Sequence, residues 1–259
     1  MRVLHISDMH FGGEDQAAVA AVTRFVARKA PDLIIASGDL SLLGLPGELE
    51  AAFAWLGALG PPVVATPGNH DVPYHELFGR LYKPFSRYER ARAGRARAGW
   101  ESADLAVVTI NSARGWQVRP NWALGAVSRH QIHDAARALR RAPVGALRIV
   151  VTHHPLLFPE DSPIHGRTRG GGHAARALIG AGAQIFLAGH LHVTQETRVR
   201  GDRGTALALA AGTLSLRLRG EPAGFQLLEF TDAAAVAVTR YEIIGGEAVA
   251  LRPDTIALA

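Results

Sequence analysis

The chain contains no cysteine. Disulfides, thiolate metal sites and a thiol nucleophile are therefore excluded, and any metal must be bound through nitrogen and oxygen. Such ligands suit zinc, manganese, iron or cobalt and discriminate poorly among them. Lysine is nearly absent as well: Lys29 and Lys83 are the only two, so the formal charge of +5 rests on arginine. The planar fork of arginine matches phosphate oxygens better than an ammonium does. The total charge by itself needs no more than compositional bias and solvated helix faces. Uninterrupted apolar runs are short, below the roughly 18 residues of a membrane span. The first of them, near the N-terminus, is too brief and too interrupted by polar groups for a signal-peptide core. No membrane insertion and a cytoplasmic location are the expectation.

What the chain does have is 48% hydrophobic residues over 259 positions, enough for a sizeable core, and twelve histidines. Apolar β-branched runs at 3–7, 33–36 and 62–66 read as strands, separated by helical periodicity over 15–30 and 46–59. Strand–helix–strand units of this kind favour parallel pairing. The segment 74–88 reads as a helix broken at Pro84. Further strands are expected at 105–110, 148–152 and 184–188, with a helix over 128–141 capped by Ser128 and a short one over 173–180. The loop 159–172 carries His165, Arg167, Arg169 and three consecutive glycines. After 197 the pattern changes to strands without intervening helices, at 205–211, 225–230 and 235–243, read as antiparallel strands closing a second sheet. With no repeat and no low-complexity linker, one α/β domain spanning 1–259 is expected.

Five strands end in a polar cluster: Asp8-Met9-His10, Gly38-Asp39, Gly68-Asn69-His70-Asp71, His153-His154-Pro155 and Gly189-His190-Leu191-His192. Carboxyl ends of parallel strands share one edge, where ligands bind, so five such clusters converge. Any one of them arises by chance; five in this order, each after a strand, do not. Carboxylate, amide and imidazole ligands can together hold two divalent cations about 3.5–4 Å apart, which clamp a phosphate and acidify a bound water. Gly38, Gly68 and Gly189 are expected to let the backbone turn sharply beside the ligands.

This motif order over residues 1 to about 195 resembles the calcineurin-like metallophosphoesterases, and within them the class III cyclic-nucleotide phosphodiesterases and their glycerophosphodiesterase relatives. The resemblance implies a four-layer αββα sandwich, two mixed sheets flanked by helices. It implies that Asp8, His10 and His192 hold one metal, that Asn69, His153 and His190 hold the other, and that Asp39 bridges them. The two ions would be manganese, iron or zinc. A metal-bound hydroxide would attack phosphorus in line. His70 would not bind metal but would stabilise charge and protonate the leaving oxygen, with Asp71 either orienting it or capping the next helix. His153 is taken as the ligand of the doubled pair because relatives often keep that position alone; His154 is left as a supporting or structural residue.

The motifs are specific for chemistry and not for substrate. The implied substrate is a small phosphodiester, with 3′,5′-cyclic AMP the leading example. Alternatives on the same site are a phosphomonoesterase and a nuclease. For a nuclease, nucleic acid would lie along the arginines between Arg87 and Arg97, near Tyr88, Trp100, Trp116 and Trp122. The competing account of those arginines is an exposed helix or loop. A lipid-linked diphosphate is conceivable, though no clear amphipathic membrane helix is seen. From another class, a non-catalytic scaffold on this fold could lose ligands freely, yet every metal position and His70 are present. The segment 80–125 and the tail after 243 match nothing in the resemblance, and substrate choice is expected to lie there.

Overall fold

The computed structural model describes residues 1–118, 121–160, 162–202 and 204–258. Two sheets face each other with helices on their outer surfaces. In the first sheet β1 (Arg2–Ile6), β2 (Leu33–Ala36) and β3 (Val63–Ala65) run parallel. The second is built on β5 (Leu105–Thr109), β6 (Leu147–Val151), β7 (Ile185–Ala188) and β9 (Gly204–Ala210), also parallel, with β4 (Gly99–Glu101) and β8 (Gln195–Gly201) as antiparallel edges.

Alternation along β1 shows how the layers form. Val3 faces the inter-sheet core with Leu33, Ile35, Ile149 and Leu187, whereas Leu4 and Ile6 face the helices α1 (Gln16–Lys29) and α2 (Pro46–Ala58) through Val22, Phe25 and Phe53. On the far side α5 (Arg129–Arg141) and α6 (Gly171–Ile179) cover the second sheet through Ile132, Leu139 and Leu178. Both faces of each sheet are covered, so the parallel strands read as continuous apolar runs. Asp15 and Ser128 cap α1 and α5, each side chain accepting from backbone N–H groups of the first turn.

The C-terminal strands depart from the expectation. β9 is antiparallel to β8 but parallel to β7, and it lies in a different sheet from β10 and β11. β10 (Gly224–Glu229) and β11 (Ala235–Ile244) cross back to the first sheet, β10 antiparallel beside β1. The tail forms β12 (Glu247–Ala250) and β13 (Asp254–Ala257) on β11. Strand direction is set by partners distant in sequence, which local pattern does not reveal. Pro84 does divide its segment, into α3 (Leu77–Tyr82) and α4 (Ser86–Arg92). α4 belongs to the scaffold, with Tyr88 fully buried against Phe53 at a ring separation of 5.3 Å. Among the described residues no helix is long and apolar enough to cross a membrane.

Candidate metal centre

The five clusters meet at the edge that the two sheets share, three arriving from the first sheet after β1, β2 and β3 and two from the second after β6 and β7. Past the strand ends, β1 and β2 remain zipped together. Asp8 N–H donates to Gly38 O, His10 N–H to Asp39 O and Phe11 N–H to Leu40 O, at 2.8–3.0 Å. This pairing holds an unusual backbone. Six non-glycine residues have positive φ among those described, and five of them are Asp8, His10, Asp39, His190 and His192. Each such conformation costs on the order of 1–3 kcal/mol and persists only where its surroundings enforce it.

The glycines act in two different ways. Gly38 has φ +96° and supplies a turn. Gly68 and Gly189 are needed for closeness instead: a Cβ on Gly68 would lie 2.1 Å from Asp39 Oδ1, and one on Gly189 would lie 1.8 Å from Ser7 Oγ and 2.4 Å from Asp8 Oδ2. The expected sharp turn therefore holds at Gly38, while the other two let backbone pack directly on carboxylates.

Asp8, His10 and His192 form one group with ligand atoms within 4.8 Å of one another, and His153, His154 and His190 form a second. Asn69 Oδ1 joins the second group, 3.2 Å from His153 Nε2. Asp39 stands between them, its Oδ2 3.2 Å from His153 Nε2 and 3.8 Å from His10 Nε2. Its Oδ1 accepts from the N–H of His70 at 2.8 Å.

The donor set fits cations. His153 Nδ1 donates to Ser37 O at 2.9 Å and His192 Nδ1 to Arg217 O at 2.5 Å, since a carbonyl can only accept. In the neutral rings this leaves each Nε2 as a lone pair aimed at other acceptors: Asp39 and Asn69 for His153, Asp8 Oδ1 at 3.1 Å for His192. His190 Nε2 and His10 Nδ1 are buried with no hydrogen-bond partner among the described residues. Lone pairs and carboxylates converging out of water require a positive charge between them. Burial pushes His10 and His190 down to about 3, so both rings are neutral and their nitrogens could serve as ligands. Burial also opposes charge on Asp8 and Asp39, but His192 beside one and His153 beside the other hold both carboxyls well below the usual range. At His153 burial pulls down, and the adjacent Asp39 more than offsets it, to about 9. The gap between His153 Nε2 and Asp39 attracts a proton where no metal occupies it.

His70 lies over this cluster, its ring 4.7 Å from that of His10. It falls within ligand range of His10 and Asp39. Its Nδ1 donates to Leu42 O at 2.6 Å, and its Nε2 accepts from Arg217 at 3.0 Å. Among the described residues the Asp71 carboxylate makes no hydrogen bond to the His70 ring or to a helix N-terminus. Its Oδ1 accepts from the N–H and Oγ of Ser41, its Oδ2 from Gly68 N–H, all at 2.8 Å, so it ties the β2 loop to the β3 loop. Burial, then the nearby Asp39, raises its pKa. His154 is held neutral by burial and by His190 and His153. Its Nε2 donates to Ala123 O at 2.7 Å and lies 3.1 Å from Asn69 Oδ1, while Nδ1 meets Ser112 Oγ at 2.8 Å. It supports the Asn69 amide.

A sixth cluster follows β9, in a loop not singled out from the sequence. Thr213 Oγ1 donates to Asp8 O at 2.7 Å, Arg217 reaches His70, and Arg219 donates to His190 O at 2.7 Å. Neither arginine has a carboxylate partner among the described residues, in contrast to the stretch from Arg87 to Arg97. There Arg87 pairs with Glu76, Arg92 with Glu89 and Arg95 with Glu50, and Arg97 lies over the Trp100 ring at 4.8 Å. That stretch is the exposed scaffold helix and its tail, tied to its neighbours.

The family model of the calcineurin-like phosphoesterases matches residues 1–194. The chain belongs to this family. A probable cyclic nucleotide phosphodiesterase of Synechococcus sp. is 36% identical over 91 residues, covering 31% of this chain and 36% of the relative. The glycerophosphodiester phosphodiesterase GpdQ of Enterobacter lignolyticus is 37% identical over 82 residues, covering 27% and 30%. The matched stretch thus spans about a third of the length of either curated relative. In fold, the chain is similar to a dimetal phosphatase from Danio rerio (TM-score 0.68, 13% identity, 100% and 99% of the two chains). It is also similar to a purple acid phosphatase from yellow lupin (TM-score 0.71, 13% identity, 99% and 53%).

Proposed function

We propose that the protein is a two-metal phosphodiesterase acting on a small diester, with a cyclic nucleotide as the leading substrate. The observation that carries this reading is Asp39 Oδ2 set between two groups of buried nitrogen and oxygen ligands, with His70 and Arg217 above them. Asp8, His10 and His192 would hold one ion, Asn69, His153 and His190 the other, and Asp39 would be shared. Two such ions, when bound, neutralise phosphate charge and lower the pKa of water.

The remaining chemistry belongs to the side chains. With the Nδ1 proton committed to Leu42 O, a second proton on His70 would sit on Nε2, and that atom would deliver it to the leaving oxygen. Arg217 holds the same atom and would exchange it for a phosphoryl oxygen as substrate enters, placing its charge where negative charge builds up. Ser112 positions His154, which lies against Asn69 Oδ1 and would keep that amide in place to serve as a ligand.

Preference for diesters draws support from the names of the two curated relatives. With Arg87, Arg92 and Arg95 paired with carboxylates and Arg97 over the Trp100 ring, this stretch gives a nuclease no specific support. The test is to load the protein with manganese and compare bis-p-nitrophenyl phosphate with the monoester, then cyclic AMP and single-stranded DNA. Diester preference with cyclic AMP turnover supports the reading. Monoester preference, or DNA cleavage without cyclic AMP turnover, overturns it. His70→Ala separates the roles: turnover should fall on the order of 10²–10⁴-fold with both metals retained. Loss of metal would make His70 a ligand.

A further inference from the structure

Beside His70 and Asn69 the structure holds a cavity of about 570 Å³, walled by Tyr74, His75, Leu77, Arg80 and Trp122. It opens directly on the proposed metal centre, and its size is that of a small-molecule site. Its walls are aromatic and cationic, and among the described residues no carboxylate lines it. Tyr74 is 59% exposed although nothing about its place in the fold requires an aromatic ring there. Trp122 is half-buried, and the Arg80 guanidinium lies over its ring at 5.5 Å.

Arg80 is the informative residue. Only 9% of it is exposed, and burial lowers its pKa. Its Nε donates to Gly115 O at 2.8 Å, while its terminal nitrogens make no hydrogen bond to another described residue. A buried guanidinium beside a cavity, with donors unspent and no acid nearby, calls for an acceptor-rich occupant. Flat aromatic walls call for a flat occupant, because ring stacking is tolerant of ring identity.

We propose that this cavity is the specificity site for the organic group of the ester, and that it takes a planar, acceptor-rich ring of the nucleobase class stacked on Trp122 and flanked by Tyr74. The site rests on the diesterase reading for its place beside the phosphate, and not for its ability to bind a ring. Arg80 braces Trp122 from one side and supplies the donors that a base or its phosphate meets.

Two measurements decide it. In calorimetry on the manganese-loaded protein, a nucleoside 5′-methylenephosphonate, which has no ester to cleave, is compared with methylphosphonate. The nucleoside compound should bind on the order of ten- to a hundredfold more tightly. Trp122→Ala should remove that advantage and Trp122→Phe restore it. Equal affinity of the two phosphonates overturns the proposal, as does an advantage that survives Trp122→Ala. In kinetics, the ratio of kcat/KM for cyclic AMP to that for glycerophosphoethanolamine, a ring-free diester, should fall about tenfold in Trp122→Ala, mainly through KM. Equal loss on both substrates would make Trp122 a shaping residue and overturn the assignment. If wild type cleaves neither diester, the proposed function fails, while the calorimetry still decides the ring site.

Discussion

Asp8, His10, Asp39, His190 and His192 are buried on left-handed backbone, whereas Tyr74, Leu77, Phe78 and Tyr82, four to twelve residues past His70, are each more than half exposed. The first group forms the floor of the site and the second its rim. On the floor, carboxylates lie against glycine backbone and ring nitrogens are fixed by carbonyls, so geometry is set before any ligand arrives. On the rim, few contacts constrain the side chains, and substitution there is cheap. On the proposed function, the reaction class would be a property of the floor and substrate choice a property of the rim. Each of the following predictions bears on that division.

The largest effect is expected at Asp39. Asp39→Ala removes the carboxylate whose Oδ2 lies between His10 and His153, so metal content measured by plasma mass spectrometry should fall from two ions per chain to one or none, and turnover should vanish. Two retained ions with near-normal turnover would show that the two groups do not share this ligand. Next comes Arg217, which belongs to both regions: its carbonyl fixes His192 on the floor, while its exposed guanidinium reaches His70 from the rim. Arg217→Gln keeps the carbonyl and removes the charge. Turnover should drop on the order of 10²-fold with metal content intact, the size seen when a donor to developing negative charge is lost. Wild-type turnover would leave Arg217 a mere neighbour. Arg95→Gln, whose arginine is already paired with Glu50, is the matched control for removing a charge elsewhere on the surface.

Most of the floor was legible in the sequence because each ligand pair is local: a strand, a turn, then two or three ligand-type residues. The β9 loop obeys the same rule, with Thr213, Ser215, Arg217 and Arg219 following a strand, yet it was not recognised. Its strand was read as antiparallel, which would have pointed the loop away from the site. Pairing with β7 is parallel and depends on residues some twenty positions away, and this reverses the direction. The Leu42 carbonyl that accepts from His70 leaves no signal in residue type at all, whereas Asp71 has suitable chemistry but bonds Ser41. The segment 80–125 was treated as one variable region. The fold divides it, since α4, β4 and β5 are scaffold, and among the described residues its two ends, at Arg80 and at Trp122 and Ala123, face the cavity.

The floor extends into the core through His5, and pH reads that extension. His5 Nε2 meets Ser37 Oγ at 2.9 Å and its Nδ1 lies 3.3 Å from Gln226 Oε1, while the Ser37 carbonyl holds His153. Burial lowers the His5 pKa to about 4 despite the opposing pull of Gln226 and Asp8. Unfolded, it titrates near 6.5. Between those two values the unfolded chain binds a proton that the folded chain refuses, so stability is full above about 6.5 and declines as pH falls toward 4. The loss assignable to His5 is about 3 kcal/mol. Urea unfolding in the presence of a chelator, from pH 7 to 4, should show a steeper decline for wild type than for His5→Gln. Parallel curves would mean that His5 is protonated in the fold.

The smallest expected effect separates floor from periphery by one methyl group. Gly57 lies in α2, exposed, and a Cβ built there meets nothing within 4 Å. Gly57→Ala should raise stability by roughly 0.5 kcal/mol, since alanine loses less backbone freedom in a helix. The same substitution at Gly189 drives a methyl into Ser7 and Asp8, and should cost roughly 1–3 kcal/mol together with the metal site. Thermal unfolding and metal content measured on the two variants side by side test whether tightness is confined to the floor. If Gly189→Ala keeps both ions and unfolds like wild type, the loop after β7 can yield, and the floor is less rigid than its buried, left-handed backbone implies.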